Sequence, residues 1–176
     1  STPKPSSAAS DVYKRQLSNI SVNEAILDEL LQYLKLILIN IAQKTITLEL
    51  HLYKNNFTLI GNTSEDRFKY FIKENFSTSE LLLKFFSKYS TLTRLLTQKT
   101  CYFIENIRES LIRLDSNFYS IKKVLQLDIS NVEIKKIICN KGDSHQKGKS
   151  VIQFIFKDNT KIVYKPRNLK INNSYY

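Results

Sequence analysis

Chemistry in this chain concentrates between Asn140 and Arg167. The sequence has only three glycines, and two of them, Gly142 and Gly148, bracket one short loop. That loop holds an acid (Asp143), an imidazole (His145) and a lysine (Lys147), and Lys149 and the hydroxyl of Ser150 follow it. Glycines let a backbone approach a ligand closely, and successive amide hydrogens can cradle phosphate oxygens. A lysine on a neighbouring strand would add a point charge to the same phosphates. Lys165 is the candidate, flanked by Tyr164 and Pro166; the proline ends the ladder and would hold the lysine at the rim of a sheet.

The elements that must position these residues read as strand, loop, strand, hairpin turn, strand. Val132, Ile134, Ile137 and Ile138 alternate imperfectly with Glu133, Lys135 and Lys136. Two β-rich segments follow the loop, Val151 to Phe156 and Lys161 to Lys165. Lys157-Asp158-Asn159-Thr160 joins them, and Asp-Asn tolerates the positive φ of a tight turn. Protein kinases pair a glycine-rich loop with a strand lysine in this way, whereas P-loop enzymes put their lysine at the start of a helix. No helix pattern follows Ser150, and Gly142-x5-Gly148-Lys149-Ser150 is one residue too long for a P-loop. By spacing alone the choice lies between a kinase-like phosphate site and a surface hairpin with a flexible loop.

The wording of the loop adds to its spacing. Gly-Asp-Ser-His-Gln-Lys-Gly-Lys-Ser-Val at 142–151, followed by Ile-Val-Tyr-Lys-Pro-Arg-Asn-Leu at 162–169, resembles the GDxHxxGxSV…YKPRxL signature of class II lanthipeptide (lantibiotic) synthetases, in their dehydratase domain. Segments around His51, Glu65 to Phe68 and Tyr89 to Leu96 look like the helical lead-in of that family, so the similarity runs from about residue 40 to the end. The resemblance implies an ATP- and magnesium-dependent enzyme that phosphorylates Ser and Thr of a ribosomally made precursor peptide. Elimination of phosphate then leaves dehydroamino acids. It implies a dehydratase resembling a lipid kinase, with zinc confined to a separate cyclase domain that this sequence lacks. Asp143, His145 and Lys165 match the acid, imidazole and lysine of the signature and are the expected catalytic residues. Gly142, Gly148, Lys149, Ser150 and Lys165 are the expected nucleotide-binding residues. No metal ligand is assigned, because the residues that position the hydroxyl and hold magnesium lie further downstream in that family. The chain is thus expected to be an amino-terminal fragment, inactive by itself.

Composition sets the outer bounds. With 176 residues, 42% of them hydrophobic, the chain can bury one real core. Lys and Arg number 27 against 16 Asp and Glu, a net charge of +11 that suits anionic partners, among them nucleotide phosphates or an acidic leader peptide. Two alternatives remain: a non-catalytic peptide-docking module, and a basic nucleic-acid-binding domain. The second lacks interleaved aromatics, a zinc knuckle or a helix-turn-helix pattern. Cys101 and Cys139 show neither disulfide framework nor metal-ligand spacing, and Cys101 is expected to be a buried thiol in a helix. The most apolar run, residues 25–42, carries Asp28, Glu29 and Lys35, so no membrane span and a cytoplasmic location are expected.

The fold expected is α+β: a helical bundle followed by the start of a kinase-like N-lobe with an antiparallel sheet of about three strands. Residues 1–16, with Pro3 and Pro5 among Ser, Ala and Thr, read as a disordered or non-native leader. Residues 17–128 form the helical subdomain and 129–176 the truncated lobe. Ser21-x-x-Glu24 and Ser77-x-x-Glu80 have the form of capping boxes, with Thr63 and Asp66 a weaker version. One helical face runs from Ile26 through Leu30, Leu31 and Leu34 to Ile41; a second segment, with β-branched Thr45, Ile46 and Thr47, ends before Asn55. Helices near 64–76 and 78–88 follow. The longest stripe begins after Ser90, with Leu92, Leu96, Phe103, Ile107, Leu111, Leu114, Phe118, Ile121 and Leu125, and Asp115-Ser116-Asn117 is expected to cap a new helix within it.

Overall fold

A computed structural model describes residues 17–127, 132–139 and 148–166. The leader at 1–16, the punctuation at Asp128 to Asn131 and the loop residues Gly142, Asp143, His145 and Lys147 lie outside the described residues. The architecture is α+β, as expected: four helices precede most of a four-stranded mixed sheet. In chain order the elements are β1 (Ser21–Val22), α1 (Glu24–Asn56), α2 (Ser64–Phe76), α3 (Ser79–Lys88), α4 (Ser90–Val124), β2 (Glu133–Ile138), β3 (Ile152–Phe156) and β4 (Lys161–Tyr164). They form two compact units, one of Leu34–Cys101 and one of the residues before and after it, so the division falls within α1 and within α4.

Several local expectations are corrected. Ser21 does not cap a helix; it pairs with Glu133 in β1, which runs parallel to β2 and adds a fourth strand to the antiparallel three. The cap belongs to Asn23, whose Oδ1 accepts the amide of Ile26 at 3.1 Å. The first helix is continuous to Asn56. It takes in the β-branched Thr45, Ile46 and Thr47, and the Thr47 hydroxyl donates to the carbonyl of Gln43 at 2.9 Å. Thr78, not Ser77, caps α3, accepting the amide of Leu81 at 3.3 Å, while Ser77 is the C-terminal cap of α2. Thr63 and Asp66 form the full reciprocal capping box.

The largest correction concerns Asp115. It starts no helix: α4 runs unbroken through it, and its side chain is buried. The carboxylate accepts the backbone amides of Ser18, Asn19 and Ile20 at 2.7–3.2 Å, fixing the strand that enters the sheet beside β2. An acid inside a helix usually belongs to a solvated face. Here it takes three backbone donors, and one of them, the amide of Ile20, is buried and would otherwise be left unpaired.

The core of the sheet-bearing unit joins Ile26 and Leu30 of α1, Ile107, Leu111, Leu114 and Phe118 of α4, and the inward faces of β2, β3 and β4. Phe118 and Phe156, both buried, meet with ring centroids 5.9 Å apart. The imperfect alternation in β2 has a cause: the register slips between Ile134 and Lys136, a bulge that turns both Ile134 and Ile137 inward. Leu31, expected on the buried face of α1, is instead 54% exposed. Cys101 is likewise exposed. It lies two positions before Phe103, which places it on the far side of α4 from the buried stripe. In the other unit Phe71 and Phe85 are buried, and Tyr53, Phe71, Phe76 and Phe85 stack edge to face in series. No helix among the described residues is long and apolar enough to cross a membrane.

Candidate functional site

The hairpin of β3 and β4 turns as its sequence requires. Asn159 adopts φ 66°, and Asp158 Oδ1 accepts the amide of Thr160 at 2.9 Å. Phe154 pairs with Ile162 and Ile152 with Tyr164, so the step after Tyr164 emerges beside the start of β3. Ile138, the last residue of β2, pairs with Gln153 at that same end. Three features therefore gather at one end of the sheet: the exit of β2 at Cys139, the return of the chain at Gly148, and Lys165. The two anchors of the 140–147 loop and the strand lysine are neighbours by register.

Each described residue there has a distinct setting. Gly148 has φ 69°, a left-handed conformation that a side chain would strain. Lys165 is exposed, directly after the last residue of β4. It continues the parity of the exposed Lys161 and Val163 rather than that of the inward Ile162 and Tyr164. Ser150 is half-buried. Lys149 is not a free surface cation: its Nζ lies 2.5 Å from Glu109 Oε2 on α4. The other oxygen of Glu109 accepts from Arg113 at 2.8 Å, one turn further along.

These neighbours shape the local electrostatics. The hydrogen bond from Lys149 holds the Glu109 carboxyl below the usual range, against the opposing effect of burial. Tyr164 is pushed above its ordinary value, first by burial and then by the charge of Glu109; Arg113 and Lys149 oppose the rise. Cys139, at the entrance to the loop, is pushed up to about 11 by burial alone. A neutral thiol packed against the core is structural and makes a poor nucleophile.

Sequence reasoning missed Glu109 and Arg113, and took Asp115 for a helix cap. The first two carry a legible signal, opposite charges four residues apart on a helix, but nothing in that spacing reveals the lysine of a distant loop. His51 is exposed on α1. Among the described residues no group of three His, Cys, Asp or Glu side chains could hold a metal. A mostly apolar groove of about 490 Å³ runs between the C-terminal half of α4 and β4, lined by Ile121, Val124, Phe154, Ile162 and Tyr164 among others. None of the described residues expected to contact nucleotide (Gly148, Lys149, Ser150 and Lys165) lines it.

What this end of the sheet can do is hold an anion. It combines a backbone bend, a lysine anchored to a helix and a second lysine open to solvent. No protein of curated function matches the sequence. A family match covers residues 89–176, half of the chain, and includes α4, both loop anchors and the β3–β4 hairpin. By that match the protein belongs to the family described as Domain of unknown function (DUF4135).

Proposed function

We propose that this chain is the amino-terminal part of a class II lanthipeptide synthetase dehydratase. Such an enzyme phosphorylates Ser and Thr side chains of a precursor peptide with ATP and magnesium, then eliminates phosphate to give dehydroamino acids. One observation carries the reading. The two halves of the signature, Gly142 to Val151 and Tyr164 to Leu169, are joined by a hairpin whose register brings the loop anchors and Lys165 to one end of the sheet. A shared phosphate pocket requires that proximity, and the hairpin supplies it: Lys149 enters from the side that faces α4 and Lys165 from the outward parity of Val163.

In this reading the chain's own groups divide the work. The bend at Gly148 lets the backbone approach the phosphates. Lys149 and Lys165 supply positive charge from two sides of the hairpin. Asp143 and His145 handle the proton of the peptide hydroxyl or of the eliminated carbon acid. The net charge of +11 suits both nucleotide phosphates and an acidic leader peptide.

The test is made in the full-length enzyme with Lys165→Ala. Mass spectrometry of the precursor peptide should show no loss of water, or a product stalled as phosphopeptide. Normal dehydration by that variant overturns the assignment. For the chain alone, binding of an ATP analogue with and without magnesium separates this reading from a nucleic-acid binder. The latter would bind RNA or DNA with a steep salt dependence and show no affinity for nucleotide.

A further inference from the structure

We infer that Glu109 of α4 is a positioning residue for the proposed phosphate site, latching the exit of the glycine loop to the helix through Lys149. The inference rests on the nucleotide reading above. Its geometry involves only described residues. Lys149 directly follows Gly148, the left-handed residue at which the loop returns to the sheet. Its Nζ meets one oxygen of Glu109 at 2.5 Å while Arg113 meets the other at 2.8 Å. Both oxygens of the carboxylate are therefore engaged, and its rotamer is set from two directions.

Three features make this more than a surface ion pair. Lys149 and Glu109 each have side chains about 30% exposed, so the contact is partly shielded from solvent. The partner sits on α4, whose buried Ile107 and Leu111 flank Glu109 and belong to the main core. The latch is therefore fixed to a rigid element. Finally, an ammonium has three donors, so Lys149 can keep Glu109 and still donate to a phosphate oxygen. A lysine held by a glutamate while it faces a nucleotide is the arrangement that kinases use to orient their phosphate-contacting lysine. Here the pair would orient the loop exit as well.

Two effects of removing the carboxylate oppose each other. Losing a negative charge beside the site tightens anion binding; losing the latch weakens it by leaving the loop exit to be ordered on binding. The inference commits to the second. Glu109→Gln keeps the shape and removes the charge. In the 176-residue chain it should speed hydrogen exchange at the amides of Gly148 to Ser150 about tenfold and weaken ATP-analogue binding several-fold. The charge-swapped pair, Glu109→Lys with Lys149→Glu, should recover the slow exchange but not the affinity, since the loop then carries an acid.

Unchanged exchange in Glu109→Gln shows that there is no latch and overturns the inference. Faster exchange with equal or tighter nucleotide binding also overturns it, leaving Glu109 a mere counter-charge. A wild-type chain that binds no nucleotide, while Glu109→Gln still speeds exchange, removes the phosphate site itself. That outcome is distinguished from the others by the wild-type measurement alone.

Discussion

Asp115 Oδ1 lies 3.0 Å from the amide nitrogen of Ile20, across 95 residues of sequence, and both residues are buried. The same carboxylate also takes the amides of Ser18 and Asn19, while Asn19 Nδ2 donates to the carbonyl of Asp115 at 3.0 Å. An interior position of a helix thus serves as the docking point for an incoming strand. It acts with the bond from the Ser21 amide to the Val132 carbonyl and the burial of Ile20 to hold the two-residue β1 beside β2.

Asp115→Ala should therefore destabilise the protein by about 1–3 kcal/mol, because it strands the buried amide of Ile20 and removes the acceptor of the part-buried amides of Ser18 and Asn19. Asp115→Asn keeps one acceptor oxygen and should cost about 1 kcal/mol. Urea denaturation checks both. Hydrogen exchange at Ser18 to Val22 should accelerate in each variant, and equal stability of Asp115→Ala and wild type would refute the docking role.

Acid sensitivity follows from the same group. Burial raises the Asp115 pKa, but the amides of Asn19, Ser18 and Ile20 and the Ser18 hydroxyl outweigh it, so the folded value lies below the ordinary one. Glu109 and Glu133 are lowered too, chiefly by their hydrogen bonds from Lys149 and Lys157. Where the folded value is the lower, the unfolded chain binds protons first. The stabilisation is complete above the unfolded pKa and is lost as pH falls through the folded one. Stability should hold from pH 7 to about 5 and decline below about 4. The decline should be shallower in Asp115→Asn, and parallel curves for the two proteins would exclude Asp115 as a source of it.

At the start of α3 two adjacent hydroxyls make opposite forecasts. Thr78 accepts the amide of Leu81 and Ser77 does not cap that helix. Thr78→Ala should cost about 1 kcal/mol, whereas Ser77→Ala should be within about 0.5 kcal/mol of neutral. Thermal unfolding of the pair decides which hydroxyl is the cap; a reversed order would restore the Ser77 box.

The two thiols should differ in reactivity. Cys101 is exposed on α4, and Cys139 is half-buried with its pKa pushed up to about 11. At pH 8 a thiol-disulfide reagent should label one equivalent rapidly, on Cys101, and the second only as the protein unfolds. Peptide mapping identifies the site, and fast labelling of Cys139 would contradict its packing against the sheet.

Local rules carried much of the fold. Helical periodicity foretold the buried Ile107, Leu111, Leu114 and Phe118, because a stripe repeating every three or four residues can satisfy only a helix. The Asp-Asn turn foretold the hairpin, and with it the end of the sheet at which Lys165 emerges, because register follows from turn and pleat. Caps were legible only to within a residue: Ser21 and Asn23, or Ser77 and Thr78, carry side chains that can all accept an amide, and the choice depends on how the flanking chain pairs. Three matters belonged to tertiary structure alone. Asp115 reads as a cap in sequence and becomes a strand anchor because distant amides fill its burial site. The stripe of α1 loses Leu31 to solvent, since how much of an apolar face is covered depends on what packs there. Glu109 meets Lys149 across 40 residues, a contact that no periodicity encodes, because it arises where a helix surface and a loop exit are brought together by the core between them.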